Sequence, residues 1–296
     1  MSIRVAVVQA TPVVLDGPAS VEKACELVAT AAAEGARLIT LPEGFVPLMP
    51  RSCWGHHYGL IMSPPAVELH RRLWENAVEV PGPLTDRLSE AAVSARAWVA
   101  IGVNEREASR PGSLWNTLVW LGPDGSVRRH RKLVPTMHER VFWGQGAGDD
   151  LDPIATDFGR LGGLICWENY MPAARRRLHV GGVDFYVAPT ADDRDIWAAS
   201  MRAFAFEAGA FVLSPVQYLT TADFPDDFPL REELAGCPDV HFSGGSLIAD
   251  PWGNLLAGPV HGGEEIIYAD CDPDLILQAR RVLDTAGHYD RADLVP

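Results

Sequence analysis

Short apolar segments alternate with segments of helical periodicity along this chain of 296 residues. The segment IRVAVVQA at 3–10 has the composition of a buried strand, and 21–34 carries apolar residues at helical spacing up to a glycine that can end a helix. The same succession continues with strands at 37–43 and 98–104 and helix-like segments at 65–79 and 84–97. Strands that alternate with helices predict an α/β protein.

Turn residues between apolar runs predict hairpins in addition to the helix-linked strands. Pro123-Asp124-Gly125 separates two such runs, so 114–134 is predicted to be a β-hairpin. Residues 220–242 contain prolines and many acids and are interpreted as a loop. The remaining predicted elements are hairpins turning at 159–160 and 252–254, helices at 171–180, 195–208 and 273–283, and strands at 183–189, 210–217 and from 264 onward. Because no linker divides the chain, we expect a mixed sheet protein in which 1–296 is one domain.

The charge balance argues against two classes of partner. Lys plus Arg total 25 and Asp plus Glu total 39, which gives a net charge of −14. Nucleic acids and anionic membranes both attract basic surfaces, so we expect neither as a partner. No apolar run reaches the length of a membrane span, and the N-terminus has no pattern of a secretory signal. We therefore expect a cytoplasmic protein.

The five cysteines are scattered and form no CxxC pair. This spacing indicates neither a disulfide framework nor a zinc ribbon, and it favours a reducing compartment. Four of them lie outside any recognisable reactive setting and are interpreted as structural or surface thiols: Cys25, Cys53, Cys237 and Cys271.

Three apolar runs end on a reactive side chain. RLITLPE ends at Glu43, HRKLVP contains Lys132, and GGLICWEN contains Cys166. Loops that leave the strands of α/β sheets commonly carry the catalytic residues. Asn169 is a candidate N-cap for the next helix, and the helix dipole would favour a thiolate at Cys166.

These three residue types form a chemically coherent nucleophilic site. A thiol with a pKa near ~8.5 and a carboxylate near ~4.3 differ by about 4 units, so proton transfer between them costs roughly 6 kcal/mol without help. A cation such as Lys132 would stabilise both the thiolate and an anionic tetrahedral intermediate. Taken singly, each residue also has a structural explanation. A buried cysteine is usually an inert apolar side chain, a lysine in a basic run such as 128–132 is usually solvated, and a glutamate at a strand exit is usually a loop carboxylate.

The segments around these residues resemble a known family. LPEGFVP around Glu43, RKLVPTMHERVFWGQG around Lys132 and CWENYMP around Cys166 resemble the three signature segments of the nitrilase superfamily, most closely its nitrilase branch. The segments at 188–218, DFPDDFP and GHYDR are similar to their counterparts there. The resemblance implies a four-layer αββα sandwich without metal or organic cofactor.

The same resemblance implies roles for individual residues. Glu43 would be the general base, Lys132 the cationic stabiliser and Cys166 the nucleophile. Glu139 would position Lys132 or the attacking water, and the backbone N–H of Trp167 would help to hold the anionic centre. The implied reaction converts an organic nitrile to the carboxylic acid and ammonia through a covalent cysteine thioimidate and thioester.

Two other functions remain as alternatives. An amidase or carbamoylase of the same superfamily uses the same triad on a C–N amide bond. A non-catalytic assembly or regulatory protein on this scaffold would be expected to lack at least one triad residue. Gly44 departs from the family pattern, in which alanine is frequent, and this would alter the packing behind Glu43.

Further candidates surround this predicted site. The stretch 51–59 follows Glu43 and is expected to lie at the substrate entrance, with Trp54 and Tyr58 as apolar walls; a loop is favoured there over a metal site. His138 is interpreted as a pocket-lining residue. By family analogy we expect at least a homodimer, and the ending at Pro296 disfavours helical filaments.

Overall fold

Two mixed β-sheets form the centre of the fold in a computed structural model of the chain. The structure describes residues 2–54 and 62–294, and in this part of the chain each sheet has seven strands. The strands of the first sheet are β1 (Ile3–Gln9), β2 (Leu38–Thr40), β3 (Val78–Glu79), β4 (Trp98–Arg106), β5 (Leu114–Leu121), β6 (Val127–Arg131) and β14 (Glu265–Cys271). Their order is β14-β1-β2-β4-β5-β6, with β3 beside β4.

The second sheet repeats this mixture of parallel and antiparallel pairs. Its strands are β7 (Ile154–Ala155), β8 (Arg160–Gly163), β9 (Phe185–Val187), β10 (Phe211–Ser214), β11 (Tyr218–Thr220), β12 (Val240–Ala249) and β13 (Leu255–His261). Their order is β11-β12-β10-β9-β8-β7, with β13 beside β12. In each sheet the central strands are parallel, β1-β2-β4 in the first and β8-β9-β10 in the second.

Helices connect the parallel strands. They are α1 (Gly17–Ala33), α2 (Pro64–Glu75), α3 (Pro83–Ala95), α4 (Pro172–Val180), α5 (Asp195–Ala208), α6 (Arg231–Leu234) and α7 (Asp274–Val282). Asp16 caps α1 by accepting a hydrogen bond from the backbone N–H of Ala19 at 2.9 Å. Helix α5 ends at Gly209, whose φ of 55° is the left-handed conformation that glycine adopts easily.

The side-chain alternation of the strands divides the core into layers. In β5, Leu118 and Trp120 face the second sheet, whereas Val119 and Leu121 pack with the helices α1 and α3. On the far face of the second sheet, Tyr186 packs with Leu178 of α4 and with residues of α5. Since both faces of both sheets are covered, the predicted four-layer αββα sandwich is confirmed.

Most element predictions are close to the observed bounds, and the 220–242 segment differs. It contains a 3₁₀ turn at Thr221–Asp223, the short helix α6 and the first residues of β12. Phe224 and Phe228 are buried against Trp54. A charge-rich sequence was interpreted as a loop, but its aromatic residues anchor it to the core. No helix among the described residues is long and apolar enough to cross a membrane.

Candidate active site

Glu43 lies just after β2, where its backbone passes close to Gly102 of the adjacent strand β4. A Cβ on Gly102 would lie 2.6 Å from Cα of Glu43 and 2.5 Å from the carbonyl oxygen of Pro42, so only glycine fits there. The side-chain amide of Gln217 donates a hydrogen bond of 2.8 Å to the backbone carbonyl of Glu43. Gly44 has φ +59°, a left-handed conformation that glycine adopts at less cost than alanine.

The two oxygens of the Glu43 carboxylate have different environments. Oε1 accepts hydrogen bonds of 2.8 Å from Lys132 Nζ and of 2.8 Å from Asn116 Nδ2. Oε2 is buried and has no hydrogen-bond partner among the described residues. The carboxylate is thus fixed through one oxygen, and the other is available to accept a proton.

Lys132 follows β6 and is fully buried between two carboxylates. Its Nζ lies 2.8 Å from Glu43 and 2.7 Å from Oε2 of Glu139. Burial alone would lower the pKa of this ammonium, but Glu43, Cys166 and Glu139 together raise it above its ordinary value. Lys132 therefore remains charged at every physiological pH.

Glu139 lies on the 3₁₀ turn Met137–Val141. Its Oε2 accepts hydrogen bonds of 2.7 Å from both Lys132 Nζ and the backbone N–H of Thr136. Burial raises the pKa of Glu139 to about 7, with Lys132 acting against this shift and Glu43 adding to it. The site accordingly contains a carboxyl group that changes its protonation near neutral pH.

Cys166 opens the 3₁₀ turn Cys166–Tyr170 after β8. Its φ of 52° is unusual for a residue with a side chain, and such conformations concentrate at functional sites. The hydroxyl of Thr190 donates to Sγ over 3.1 Å, and the Cys166 N–H donates to the carbonyl of Pro189 over 2.8 Å. Cys166 is therefore fixed by the end of the neighbouring strand.

Burial and a neighbouring carboxylate outweigh any stabilisation of a Cys166 thiolate by the helix dipole in the resting protein. Burial, then Glu43, raise the pKa of Cys166 above its ordinary value, and Lys132 only partly opposes them. Asn169 also does not cap helix α4. Its Nδ2 donates instead to the carbonyls of Leu164 and Cys166, at 2.9 and 2.7 Å, which stabilises the turn.

Cys166 and Glu139 line a cavity of about 490 Å³. Trp167 and His138 line it as well, and a pocket-lining position is what the sequence predicts for His138. The indole Nε1 of Trp167 donates to Asp192 over 2.9 Å, and this carboxylate also binds Arg194. The other lining residues are Met49, Pro50, Arg51, Ser52, Thr136, Met137, Ala191, Asp192, Asp193, Arg194 and Phe242. A small organic molecule of mixed apolar and polar character fits such walls.

Trp54 is not a wall of this cavity, contrary to the expectation. It is 0 % exposed and packs edge-on against Phe224 and Phe228 in an aromatic core cluster. Full burial of a large aromatic side chain stabilises the fold more than a position at a solvent-exposed cavity entrance. Tyr58 lies outside the described residues. His138 faces the carbonyl of Pro50 at 3.4 Å, and burial lowers its pKa, so the ring is neutral.

Cys53 and Cys237 form a disulfide, which corrects their interpretation as separate thiols. They are 184 residues apart, so no local spacing pattern could indicate the pair. Together with His241 they form a cluster with ligand atoms within 4.8 Å of one another, and no other potential metal cluster occurs in the described ranges. Sulfurs joined in a disulfide offer no thiolate to a metal.

Sequence reasoning did not find several polar residues behind the site. Asn116, Thr190 and Gln217 contact the predicted triad, and Glu168 and His130 form a buried pair beside it. One signal was present for Asn116, since it is a polar side chain within an apolar strand whose neighbours are all buried. Thr190 and Gln217 lie in segments between strands, Glu168 lies in the 3₁₀ turn that begins at Cys166, and His130 lies within the charge-rich strand β6. Polar residues are common at all of these places without a function.

Comparisons with known proteins agree with this geometry. The carbon-nitrogen hydrolase family profile matches residues 4–281. The chain is 43% identical to an aliphatic nitrilase of Sinorhizobium fredii over 98% of this chain and 93% of that one. It is 38% identical to a bifunctional nitrilase/nitrile hydratase of Lupinus angustifolius, over 99% and 85%. A crystal structure of Saccharomyces cerevisiae Nit3, of the nitrilase superfamily, superposes with a TM-score of 0.76 at 22% identity, covering 98% and 97%. The chain belongs to the carbon-nitrogen hydrolase family.

Proposed function

We propose that the protein is a nitrilase, which hydrolyses an organic nitrile to the carboxylic acid and ammonia. The observation that carries the proposal is the buried group of Glu43, Lys132 and Glu139, because Glu139 lines the same cavity as Cys166. The names of the two relatives described above, at 43% and 38% identity, favour nitriles over other substrates of the family.

The first step joins Cys166 to the substrate. Because the resting thiol is neutral, its proton leaves as sulfur attacks the nitrile carbon, and the free Oε2 of Glu43 is the acceptor for that proton. The same proton then passes to the nitrile nitrogen. The C≡N bond loses one π bond, an S–C bond forms, and the product is a thioimidate.

Hydrolysis then proceeds by two additions of water. Glu43 activates the first water, which adds to the thioimidate carbon, and ammonia leaves to give a thioester. A second water adds to the thioester carbon, and the carboxylic acid leaves as the thiol of Cys166 is restored. Glu43 takes and returns one proton in each half, so the enzyme ends unchanged.

Charge stabilisation falls to Lys132 and to the start of the 3₁₀ turn. The Lys132 ammonium stays protonated and stabilises the negative charge that develops on the substrate. The N–H of Trp167 lies in the first turn of that helix, where backbone donors have no helical carbonyl partner. We assign this N–H to the anionic nitrogen or oxygen of the tetrahedral states. Glu139 orients Lys132 through its 2.7 Å contact.

The test is release of ammonia and acid from aliphatic, arylacetic and aromatic nitriles, each run beside its matching amide. Cys166→Ala is the blank. Turnover of nitriles with little turnover of amides supports the proposal, and turnover of amides alone assigns the same site to an amidase. Amide must also be measured as a product, because one relative is a nitrile hydratase as well as a nitrilase. Nitrile hydrolysis by Cys166→Ala above the uncatalysed rate would overturn the mechanism.

A further inference from the structure

Glu168 lies two residues after the proposed nucleophile, and its side chain is fully buried. Its Oε1 accepts a hydrogen bond of 2.5 Å from the backbone N–H of Leu133, the neighbour of Lys132. Its Oε2 accepts one of 2.6 Å from the N–H of Ile165, the neighbour of Cys166. A single carboxylate thus holds the backbone beside both residues.

A cationic histidine balances this buried charge. Nε2 of His130 lies 3.1 Å from Oε2 of Glu168, and Nδ1 lies 2.7 Å from Oδ1 of Asp150. Both ring nitrogens face carboxylate oxygens, so both must donate, which requires the imidazolium form. Burial lowers the pKa of His130, but the hydrogen bonds to Asp150 and Glu168 outweigh it and raise the pKa to about 9.

Asp150 extends the connection along the strand end. Its Oδ2 accepts a hydrogen bond of 3.1 Å from the backbone N–H of Arg131. Lys132 follows strand β6 of the first sheet and Cys166 follows strand β8 of the second. The relative position of the two side chains therefore depends on how the ends of these strands are held together. The chain Asp150–His130–Glu168 contacts the backbone on both sides of that junction.

We infer that Glu168 and His130 are positioning residues, which fix the distance between the Lys132 ammonium and the Cys166 sulfur. The kinetic test of this inference, turnover of a nitrile, rests on the proposed nitrilase function. Its second test, the rate of chemical alkylation of Cys166, does not. Neither side chain lines the substrate cavity, so their loss changes turnover rather than substrate binding.

Glu168→Gln is the first variant, because a glutamine has the same shape but its NH₂ group cannot accept a hydrogen bond. One of the two backbone N–H groups is then left without an acceptor. We expect kcat to fall about 10- to 100-fold, the usual range when a supporting hydrogen bond or an ångström of alignment is lost, with KM changed less than about threefold.

A second readout needs no substrate. Iodoacetamide alkylates Cys166 at a rate that reports stabilisation of its thiolate, measured by mass spectrometry of the Cys166 peptide against that of buried Cys271. We expect this rate to fall with kcat in Glu168→Gln. If the wild type hydrolyses no nitrile, the proposed function fails, and the alkylation rate still decides the positioning role.

Asp184→Asn is the matched control. Asp184 also accepts one backbone N–H, that of Arg160 at 2.9 Å, and one cationic side chain, Arg280 at 3.1 Å, in the second sheet away from the cavity. It should lose stability but keep kcat and the alkylation rate. If Glu168→Gln does not fold, His130→Gln decides, because it removes the imidazolium that holds the Glu168 carboxylate between the two strand ends. We expect kcat and the alkylation rate to fall in this variant as well. Wild-type kcat and alkylation in the folded variant, or an equal loss in Asp184→Asn, would overturn the inference.

Discussion

The side-chain nitrogen of Lys132 lies 2.8 Å from Oε1 of Glu43, and neither side chain is exposed to solvent. Lys132 makes a second contact, of 2.7 Å, to Glu139. One cation therefore faces two carboxylates in a medium that penalises unpaired charge. Burial raises the pKa of Glu139 to about 7, with Glu43 adding to this shift and Lys132 opposing it. Protonation of Glu139 leaves a neutral pair of Lys132 and Glu43.

Lys132→Met should destabilise the fold strongly, because it leaves two buried carboxylates without their cation. We expect a loss of about 3–5 kcal/mol in the free energy of unfolding, measured by urea denaturation. Lys23→Met is the control, since Lys23 pairs with the partly exposed Glu264 and should lose less than about 1 kcal/mol. Adding Glu139→Gln to Lys132→Met should recover part of the loss, and equal losses for the two lysines would contradict this account.

Glu43→Gln should abolish most turnover while the fold persists. The amide keeps the shape of the side chain but cannot take the proton of Cys166, and a general base typically contributes about 10²–10⁴-fold. We expect kcat to fall by that factor on the best nitrile, with an unchanged circular dichroism spectrum. A fall in kcat of less than about tenfold would indicate that another residue accepts the proton of Cys166.

His130 should make stability depend on alkaline pH. Its pKa is about 9 in the folded protein against 6.5 for the free group, so its stabilisation is complete below pH 6.5 and is lost as the pH rises through about 9. The difference corresponds to about 3 kcal/mol. Urea unfolding between pH 6 and pH 10 measures it, and His130→Gln should flatten that part of the profile. An equally steep profile in the variant would exclude His130 as its source.

Trp54→Ala should mainly lower the stability of the protein, whereas Trp167→Ala should mainly change substrate binding. Trp54 is fully buried, so its truncation should cost about 3–5 kcal/mol of stability and change KM little. Trp167 is 38% exposed and lines the cavity, so its truncation should change KM and substrate preference more than stability. Thermal unfolding and a nitrile panel distinguish the two. A KM effect confined to Trp54→Ala would restore it as a cavity wall.

The disulfide should be visible chemically and in stability. Under denaturing conditions without reductant, thiol labelling should modify Cys25, Cys166 and Cys271, and reduction should add Cys53 and Cys237. Cys53→Ser should cost about 2–4 kcal/mol, because the bond closes a long loop. Reductant should destabilise the wild type and leave Cys53→Ser unaffected. Five labelled thiols before reduction would rule out the bond.

The hydrophobic pattern of the sequence was sufficient to predict the layers of the fold and the strand ends that carry reactive side chains. Helix α5 was predicted at its observed bounds, 195–208, because its apolar residues keep helical spacing up to a terminal glycine. Glu43, Lys132 and Cys166 were recognisable because each follows an apolar run within a characteristic motif. These features depend on residues that are neighbours in the chain.

The features that sequence reasoning missed depend on distant pairs. An indole side chain such as Trp54 serves equally well in a core or at a cavity wall, and only the arrival of Phe224 and Phe228 decides between them. The pairing of Cys53 with Cys237 and of His130 with Glu168 likewise depends on the packing of segments far apart in sequence. The protonation of Cys166 depends on its burial, which no motif specifies.

The reactive group is divided between the two sheets of the sandwich. Glu43, Asn116 and Lys132 come from the first sheet, and Cys166 and Thr190 come from the second. Neither sheet alone carries the whole group, so turnover depends on the packing of the two sheets against each other. In a denaturant series, activity should disappear at the concentration that separates the sheets, even where each retains its own hydrogen-bonded strands.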